Sequence, residues 1–458
     1  LAKGRAADNT MRLGSRAVAL ARRVVVAPWR RALSTGKAEE VGGKHDPYGA
    51  LGAGYYSDNT KGCYDVVDNA TPMMLEACRA VLQSRSKRGA AAKGEPFVIS
   101  DYGTADAGTS MPMMHELVEI VRAAEPDTPV VLQYEDQPQN DWTSVFRRVQ
   151  GEIPSRGFRG QGYDQGITER FPKVTAVATG VSFYNTCFPA ASVDLMFSAT
   201  AFHWLRKLPV QLPTVLHSAM AEPGTPEHTA FMEAAFEDWK IILAKRAEEL
   251  KQGGRLGLVS FAKNDQGHFL GKSSHVKQSM HDRFRGIWQD MVAEGTITQG
   301  EFKGTNFPNQ YRTMEETLRP FGGGAGAATD TDAAVIRSAD GGLAGKEAFM
   351  GMHVIGAAYG EVRCPYHERW VSEAGERKSK GVDEKKAARE HAVRYVPTTR
   401  TWSNSTFESG LDAAKRSPEE RAALAEAMFK RYEDEVTADP ANHAMDYQHV
   451  YLVAEKRQ

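Results

Sequence analysis

The chain reads as an α/β protein built on a mostly parallel sheet with helices on both faces. Three observations predict this. Strand-like and helix-like stretches alternate from residue 96 to residue 262, the pattern of consecutive β-α-β units. One of them, FVISDYGTADAGTS over Phe97–Ser110, runs a strand into an acidic residue, a glycine-containing turn and the start of a helix. Such a turn aims backbone N–H groups and a helix N-terminus at an anionic or zwitterionic ligand. At 458 residues the chain can bury a full core, as one large domain with a cap or as two domains.

Taken in order, the first structured stretch lies between Tyr55 and Val81. There Asp68, Asn69 or Thr71 is expected to cap a helix with Pro72 at its first position, and Met73, Met74, Leu75, Ala77, Cys78 and Val81 form its apolar face. It reads as a lid-like helix packed on the core. Lys87–Lys93 is a Gly/Ala/Lys/Arg linker. Strands are expected at Pro96–Gly103, Pro129–Asp136, Lys173–Gly180 and Ser192–Ser198, with helices at Met111–Ala124 and Asp141–Gln150. Thr225 caps a long helix that opens on Pro226, buries Phe231, Ala235, Trp239, Ile242 and Leu250, and ends at Gly253 and Gly254. Arg255–Ala262 is strand again; the helix Pro418–Val436 precedes a last strand, Gln448–Val453. Phe321–Gly345 is a glycine- and alanine-rich flexible loop around a short strand, and Arg377–Glu390 is a charge run of the kind found on a solvated helix face.

Composition removes several classes of function. Lys and Arg number 57 against 58 Asp and Glu, so no basic field points to nucleic acid. Cys63, Cys78, Cys187 and Cys364 have no CxxC spacing, which indicates neither a zinc site nor a disulfide framework. No metal site is expected. No apolar run reaches the ~20 residues of a membrane span, so a soluble protein with no membrane partner is expected. No G-x-x-x-x-G-K-S/T occurs, and the first turn, Gly103–Gly108, is not G-x-G-x-x-G, which disfavours P-loop phosphoryl transfer and a nicotinamide dehydrogenase. Met11–Lys37 carries seven basic residues and no acid. Residues 1–45 are therefore expected to be a plastid or mitochondrial transit peptide, or a disordered basic tail on a cytoplasmic protein, with 46–458 as the folded domain. The ten residues before Met11 read as upstream translation.

Ligands of an open parallel sheet sit beyond the carboxyl ends of its strands. Four such ends carry unusual residues: Asp101, Tyr102 and Gly103; Glu135 and Asp136; Ser182, Phe183 and Tyr184; Phe202, His203 and Trp204. An acid ending the second strand suits two ribose hydroxyls, and hydroxyl and aromatic neighbours suit a nucleoside. Each also has a purely structural reading: a glycine turn for positive φ, a capping Asp136, a packed His203–Trp204 loop pair.

These residues resemble the SABATH family of S-adenosylmethionine-dependent methyltransferases. The family's IADLGCSSGPNT-like motif matches Ile99–Ser110, with Ala107 and Thr109 replacing glycine and asparagine. Its NDLPxNDFN resembles Glu135–Thr143, its SFYxRLFP Ser182–Pro189 and its SLHWL Ala201–Leu205. The resemblance implies a Rossmann-like class I methyltransferase sheet, mostly parallel with an antiparallel last strand, plus a helical cap. It implies that Tyr64, Asp101 and Gly103 contact S-adenosylmethionine, that Asp136 with Gln137 takes the ribose, and that Ser182 and Phe183 flank the adenine. His203 and Trp204 then hold the reacting group of the acceptor, with Met73, Tyr184, Gln310 and Tyr311 lining its pocket. The family's Tyr-x-x-Asn-Ser-x-x-Gln is matched to Tyr64–Met73, where Met73 replaces the glutamine that clamps an acceptor carboxylate. The expected activity is carboxyl O-methylation of a small acid. The alternatives are S-methylation of a thioether (a methylthio hydroxy acid, as in osmolyte synthesis), N-methylation of a small metabolite, or a binding protein that keeps the fold without catalysis. The expected partners are the small-molecule substrate and a second copy of the chain in a homodimer.

Overall fold

The computed structural model describes residues 47–89, 94–323 and 347–457. The expected transit segment, residues 90–93 of the expected linker and residues 324–345 of the glycine-rich loop lie outside the described residues.

Among the described residues nine strands are formed: β1 (Phe97–Tyr102), β2 (Val130–Glu135), β3 (Ser155–Arg156), β4 (Gly162–Tyr163), β5 (Val174–Thr179), β6 (Val193–Ala199), β7 (Leu250–Phe261), β8 (Met352–Val362) and β9 (Tyr447–Lys456). The helices are α1 (Tyr55–Asn59), α2 (Lys61–Arg88), α3 (Met111–Ala124), α4 (Trp142–Val149), α5 (Ile167–Arg170), α6 (Pro226–Glu249), α7 (Met280–Ala293), α8 (Gln299–Gly304), α9 (Met314–Leu318), α10 (Pro365–Ser372), α11 (Ala374–Ser379), α12 (Glu384–Gly410) and α13 (Pro418–Ala438). Seven strands form one sheet in the order β5-β2-β1-β6-β7-β9-β8. The pairs from β5 to β7 are parallel, and β9 runs antiparallel between β7 and β8. The predicted fold class therefore holds.

Side-chain alternation divides the core. Phe97, Ile99, Leu195 and Phe197 join Met74 and Leu117 of α2 and α3 in one cluster. Val98, Met196, Leu256 and Leu258 meet Trp239 and Leu243 of α6 in another, as a period of two requires for a sheet covered on both faces. Gly257 is needed where α2 crosses β7: a Cβ there would lie 2.0 Å from Met74 Sδ. A helical layer of α7, α12 and α13, joined through Phe284, Trp288, Phe407 and Phe429, forms the cap.

Two expectations are corrected. Pro72 does not start a helix but sits inside α2. Its missing N–H costs about 3 kcal/mol, and the helix persists because Val66, Val67, Ala70, Met73, Met74, Ala77 and Cys78 are buried on both sides of it, each large side chain contributing about 1.5–3 kcal/mol. The helix from Pro226 ends at Glu249, not at Gly253 and Gly254. Those glycines lie in β7, Gly253 at φ 79°, where the register against β6 shifts between the Val193–Leu250 and Leu195–Arg255 pairs; they serve a β-bulge, not a helix cap. The charge run over Arg377–Glu390 is exposed over most of its length, as expected of a solvated helix face, and is divided between α11 and the start of α12 by a turn at Gly381. Strand β8, helix α7 and the part of α12 beyond Glu390 have no counterpart among the expectations.

Candidate active site

Four neighbouring parallel strands, β5, β2, β1 and β6, end at one edge of the sheet, and each delivers one of the four sequence segments singled out above. The chain winds from β1 outward to β5 and then returns to the other side of β1 as β6. This is the switch point at which a crevice opens. Gly103 lies there at φ 70°, and a Cβ on it would stand 2.3 Å from Ala201 Cβ. Its glycine therefore allows the β1 and β6 loops to meet. Gly103 N–H donates to the Glu135 carbonyl at 2.9 Å and to Glu135 Oε2 at 3.1 Å.

A cleft with three connected compartments runs along this edge. The first, about 360 Å³, is lined by Asp101, Gly103, Thr104, Ala105, Thr109 and Ser110 with Val66 and Val67 of α2. The second, about 500 Å³, is lined by Asp136, Gln137, Asn140, Asp106 and the segment Pro47–Tyr56. The third, about 850 Å³ counting its open mouth, holds Phe183, Thr200, Ala201, His203, Trp204, Phe261, Leu270, Tyr311, Trp402, Met445 and Tyr447. Tyr56 and Ala105 line all three.

The polar end is acidic. The Ser110 and Thr104 hydroxyls donate to Asp101 Oδ2 at 2.6 and 2.9 Å. Asp136 accepts from the Ala105 and Gln137 backbone N–H groups at 2.8 and 2.7 Å. Burial outweighs these bonds and pushes both carboxyls up to about 6. The aromatic end is a stacked layer. His203 is buried, with Phe261 edge-on at 4.9 Å and Trp204 and Tyr311 at 5.5 and 5.8 Å. Tyr311 stacks on His217 at 4.2 Å, and its hydroxyl meets His281 Nε2 at 3.2 Å. Burial pushes the His281 imidazole down to about 3 and holds His217 well below its ordinary value, so these two rings are neutral at neutral pH. Among the described residues, no group of three or more His, Cys, Asp or Glu side chains is placed to hold a metal.

A family profile described as SAM dependent carboxyl methyltransferase matches residues 48–319, well over half of the chain. The chain belongs to this SABATH family. It is 24% identical over 272 residues to "Methyltransferase LUC1" of a Fusarium species, covering 58% of this chain and 65% of that protein. It is 22% identical to "Probable caffeine synthase MTL2" of Coffea canephora (58% and 68%) and 25% identical to "Indole-3-acetate O-methyltransferase 1" of Arabidopsis thaliana (48% and 59%). The matched stretch thus spans 59–68% of the length of these relatives. A structure of loganic acid methyltransferase with SAH shares the fold at a TM-score of 0.60 and 16% identity, over 90% of this chain and 99% of that one.

The cleft re-registers one SABATH motif. Tyr64 and Met73 do not line it. Tyr64 packs under the β3–β4 hairpin, its Cβ 2.9 Å from where a Cβ of Gly157 would be, and Met73 faces Gly257 of β7. Tyr56, Thr60 and Cys63 line the cleft instead, at i, i+4 and i+7, one face of a nearly continuous helical segment. Read from Tyr56, the family's Tyr-x-x-Asn-Ser-x-x-Gln becomes Tyr56-x-x-Asn59-Thr60-x-x-Cys63. Tyr64 is turned away because it is one residue, about 100°, round the helix from Cys63. The glutamine position thus carries a thiol. Burial pushes Cys63 up to about 12 despite hydrogen bonds with Tyr56 and Thr60, so it is a neutral thiol and no nucleophile.

Of the other expected residues, Asp101, Gly103, Asp136, Gln137, Phe183, His203, Trp204 and Tyr311 face the cleft. Three do not line it. Ser182 Oγ turns onto its own loop, accepting from Tyr184 N–H at 3.5 Å. Tyr184 stands behind Trp204, its hydroxyl shared between the Trp204 carbonyl and Asp238. Gln310 is drawn away by the Ser218 hydroxyl, which donates to its Oε1 at 2.6 Å. Sequence reasoning missed Tyr56, Thr60 and Cys63, which the family pattern could have found in the correct register. It also missed Phe261, Leu270, Trp402, Met445 and Tyr447, which carry no local signal.

Proposed function

We propose that the chain is an S-adenosylmethionine-dependent methyltransferase acting on the carboxylate oxygen of a small acid. The observation that carries this reading is one continuous cleft with buried acids at one end and an aromatic compartment walled by His203 and Trp204 at the other, with Tyr56 between them.

The donor set fits the cofactor. Asp101 and the turn Gly103–Ser110 would hold its cationic amino acid end, Asp136 its ribose hydroxyls and Phe183 its adenine. Bound there, the cofactor supplies a methyl group on a positively charged sulfur. The chain's own part is positional: His203 offers a hydrogen bond to the acceptor head, Trp204 and Phe261 wall it in, and the aromatic layer excludes water. A carboxylate lone pair needs no general base, so orientation carries the rate, an effect able to contribute about 7–11 kcal/mol.

A second reading, transfer to a thioether sulfur or an amine, is favoured by Cys63, because a thiol cannot clamp a carboxylate as an amide does. Incubation with methyl-labelled cofactor and a panel of small acids, thioethers and amines, with product masses determined, tests both readings. Labelled ester is expected; labelled sulfonium or amine products alone would replace the first reading by the second. No label transfer and no calorimetric binding of the cofactor would end both.

A further inference from the structure

Asp106 occupies the middle of the turn between β1 and α3, where the family motif carries a serine, and it uses both oxygens. Oδ2 accepts from Ser57 N–H at 3.1 Å and from Arg148 Nη2 at 3.0 Å. Oδ1 accepts from Gly108 N–H at 3.2 Å and from the Ser57 hydroxyl. Arg148, fully buried, also donates to the Gly54 carbonyl at 2.8 Å and the Pro154 carbonyl at 2.6 Å, with Asp58 3.7 Å from the same nitrogen as Asp106. One carboxylate and one guanidinium thus tie together the cofactor turn, the segment entering α1 and the loop after α4. The packing leaves no slack: a Cβ on Gly54 would lie 2.3 Å from Arg148 Nη2, and one on Gly108 2.4 Å from Ser57 Oγ.

The two residues that line all three compartments are the chain neighbours of this junction. Tyr56 precedes Ser57, and Ala105 precedes Asp106. Ala105 and Ala107 both hold left-handed φ, 50° and 60°, which a residue with a Cβ adopts only where its surroundings impose it. Ala105 N–H in turn donates to Asp136.

We propose that Asp106, held by Arg148, is a positioning residue that makes ordering of the cofactor turn and seating of Tyr56 over the cleft a single event. The inference rests on the methyltransferase reading. The test compares Asp106→Asn, Arg148→Gln and the double variant with the unaltered protein. Three quantities are read: cofactor dissociation constant, kcat at saturating cofactor, and hydrogen exchange of residues 47–60 and 103–110 in the unliganded protein. Each single change leaves a buried charge or hydrogen-bonding group without its partner. The expected result is cofactor binding weakened about tenfold or more in each single variant, kcat within about threefold, and faster exchange in both segments. The double variant should lie closer to the unaltered protein than the sum of the singles. Unchanged binding and exchange would overturn the proposal, as would a loss confined to kcat or to the folded fraction. Absence of cofactor binding by the unaltered protein would sink the methyltransferase reading, and with it the cofactor role of Asp106; the exchange comparison would still decide whether the pair ties the two segments.

Discussion

The Tyr184 hydroxyl lies 2.5 Å from the backbone carbonyl oxygen of Trp204 and supports one wall of the aromatic compartment from behind. Asp238 completes the brace, accepting from Tyr184 at 3.2 Å and from Arg206 N–H and Nε at 2.9 and 2.6 Å. Tyr184→Phe should lower kcat/KM about fivefold, the worth of one net hydrogen bond of about 1 kcal/mol, without changing near-ultraviolet circular dichroism. Trp204→Ala, which removes the wall itself, should cost about a hundredfold. Full activity of Trp204→Ala would remove it from the acceptor site.

Cofactor binding should depend on pH through Asp101 and Asp136. Burial sets both near 6, so they are ionised above about pH 6 and protonated below it. A ligand with a positive sulfur and an ammonium group favours the ionised forms; its affinity should fall as pH drops from about 7 to 5. Stability of the empty protein runs the other way. The folded values lie above the ordinary 3.8, so these acids contribute stability below about pH 4 that is lost as pH rises through about 6. Calorimetric titration of the cofactor across this range measures the first effect, and Asp136→Asn should flatten it.

Cys63→Gln should restore an amide to the acceptor compartment. The ratio of kcat/KM for small acids over thioethers and amines should then rise about tenfold, as a hydrogen bond to a charged group allows. Met73→Gln should leave that ratio unchanged and instead bury an amide against β7, destabilising the fold by about 1–3 kcal/mol in thermal unfolding. The opposite outcome would restore the Tyr64–Met73 register.

Trp402 belongs to α12, outside residues 48–319 matched to the family, yet it lines the aromatic compartment. Trp402→Ala should open space there, raising KM about tenfold for a small ring acid and lowering it for one with an added ring. A paired KM measurement on two such acids checks this.

The strand ends were legible because they are local. Asp101, Gly103, Asp136, His203 and Trp204 each end or follow a short apolar run, and the alternation of such runs with helical stretches shows the β-α-β units. Helix α12 was hidden by its interior Pro397 and its polar composition, and β8 by its glycines and alanines, all weak or contrary propensity signals.

The sequence by itself determined the parallel sheet, its family and the four loops that open the crevice, since these follow from alternation and motif spacing along the chain. Only the tertiary structure decided which face of the Tyr55–Arg88 segment looks inward, and so that Tyr56 and Cys63, not Tyr64 and Met73, line the cleft. It alone joined Trp402, Met445 and Tyr447 to His203. A helix turns about 100° per residue, so a misplaced register reverses the face, and a cavity wall is assembled from residues hundreds of positions apart that no local pattern connects.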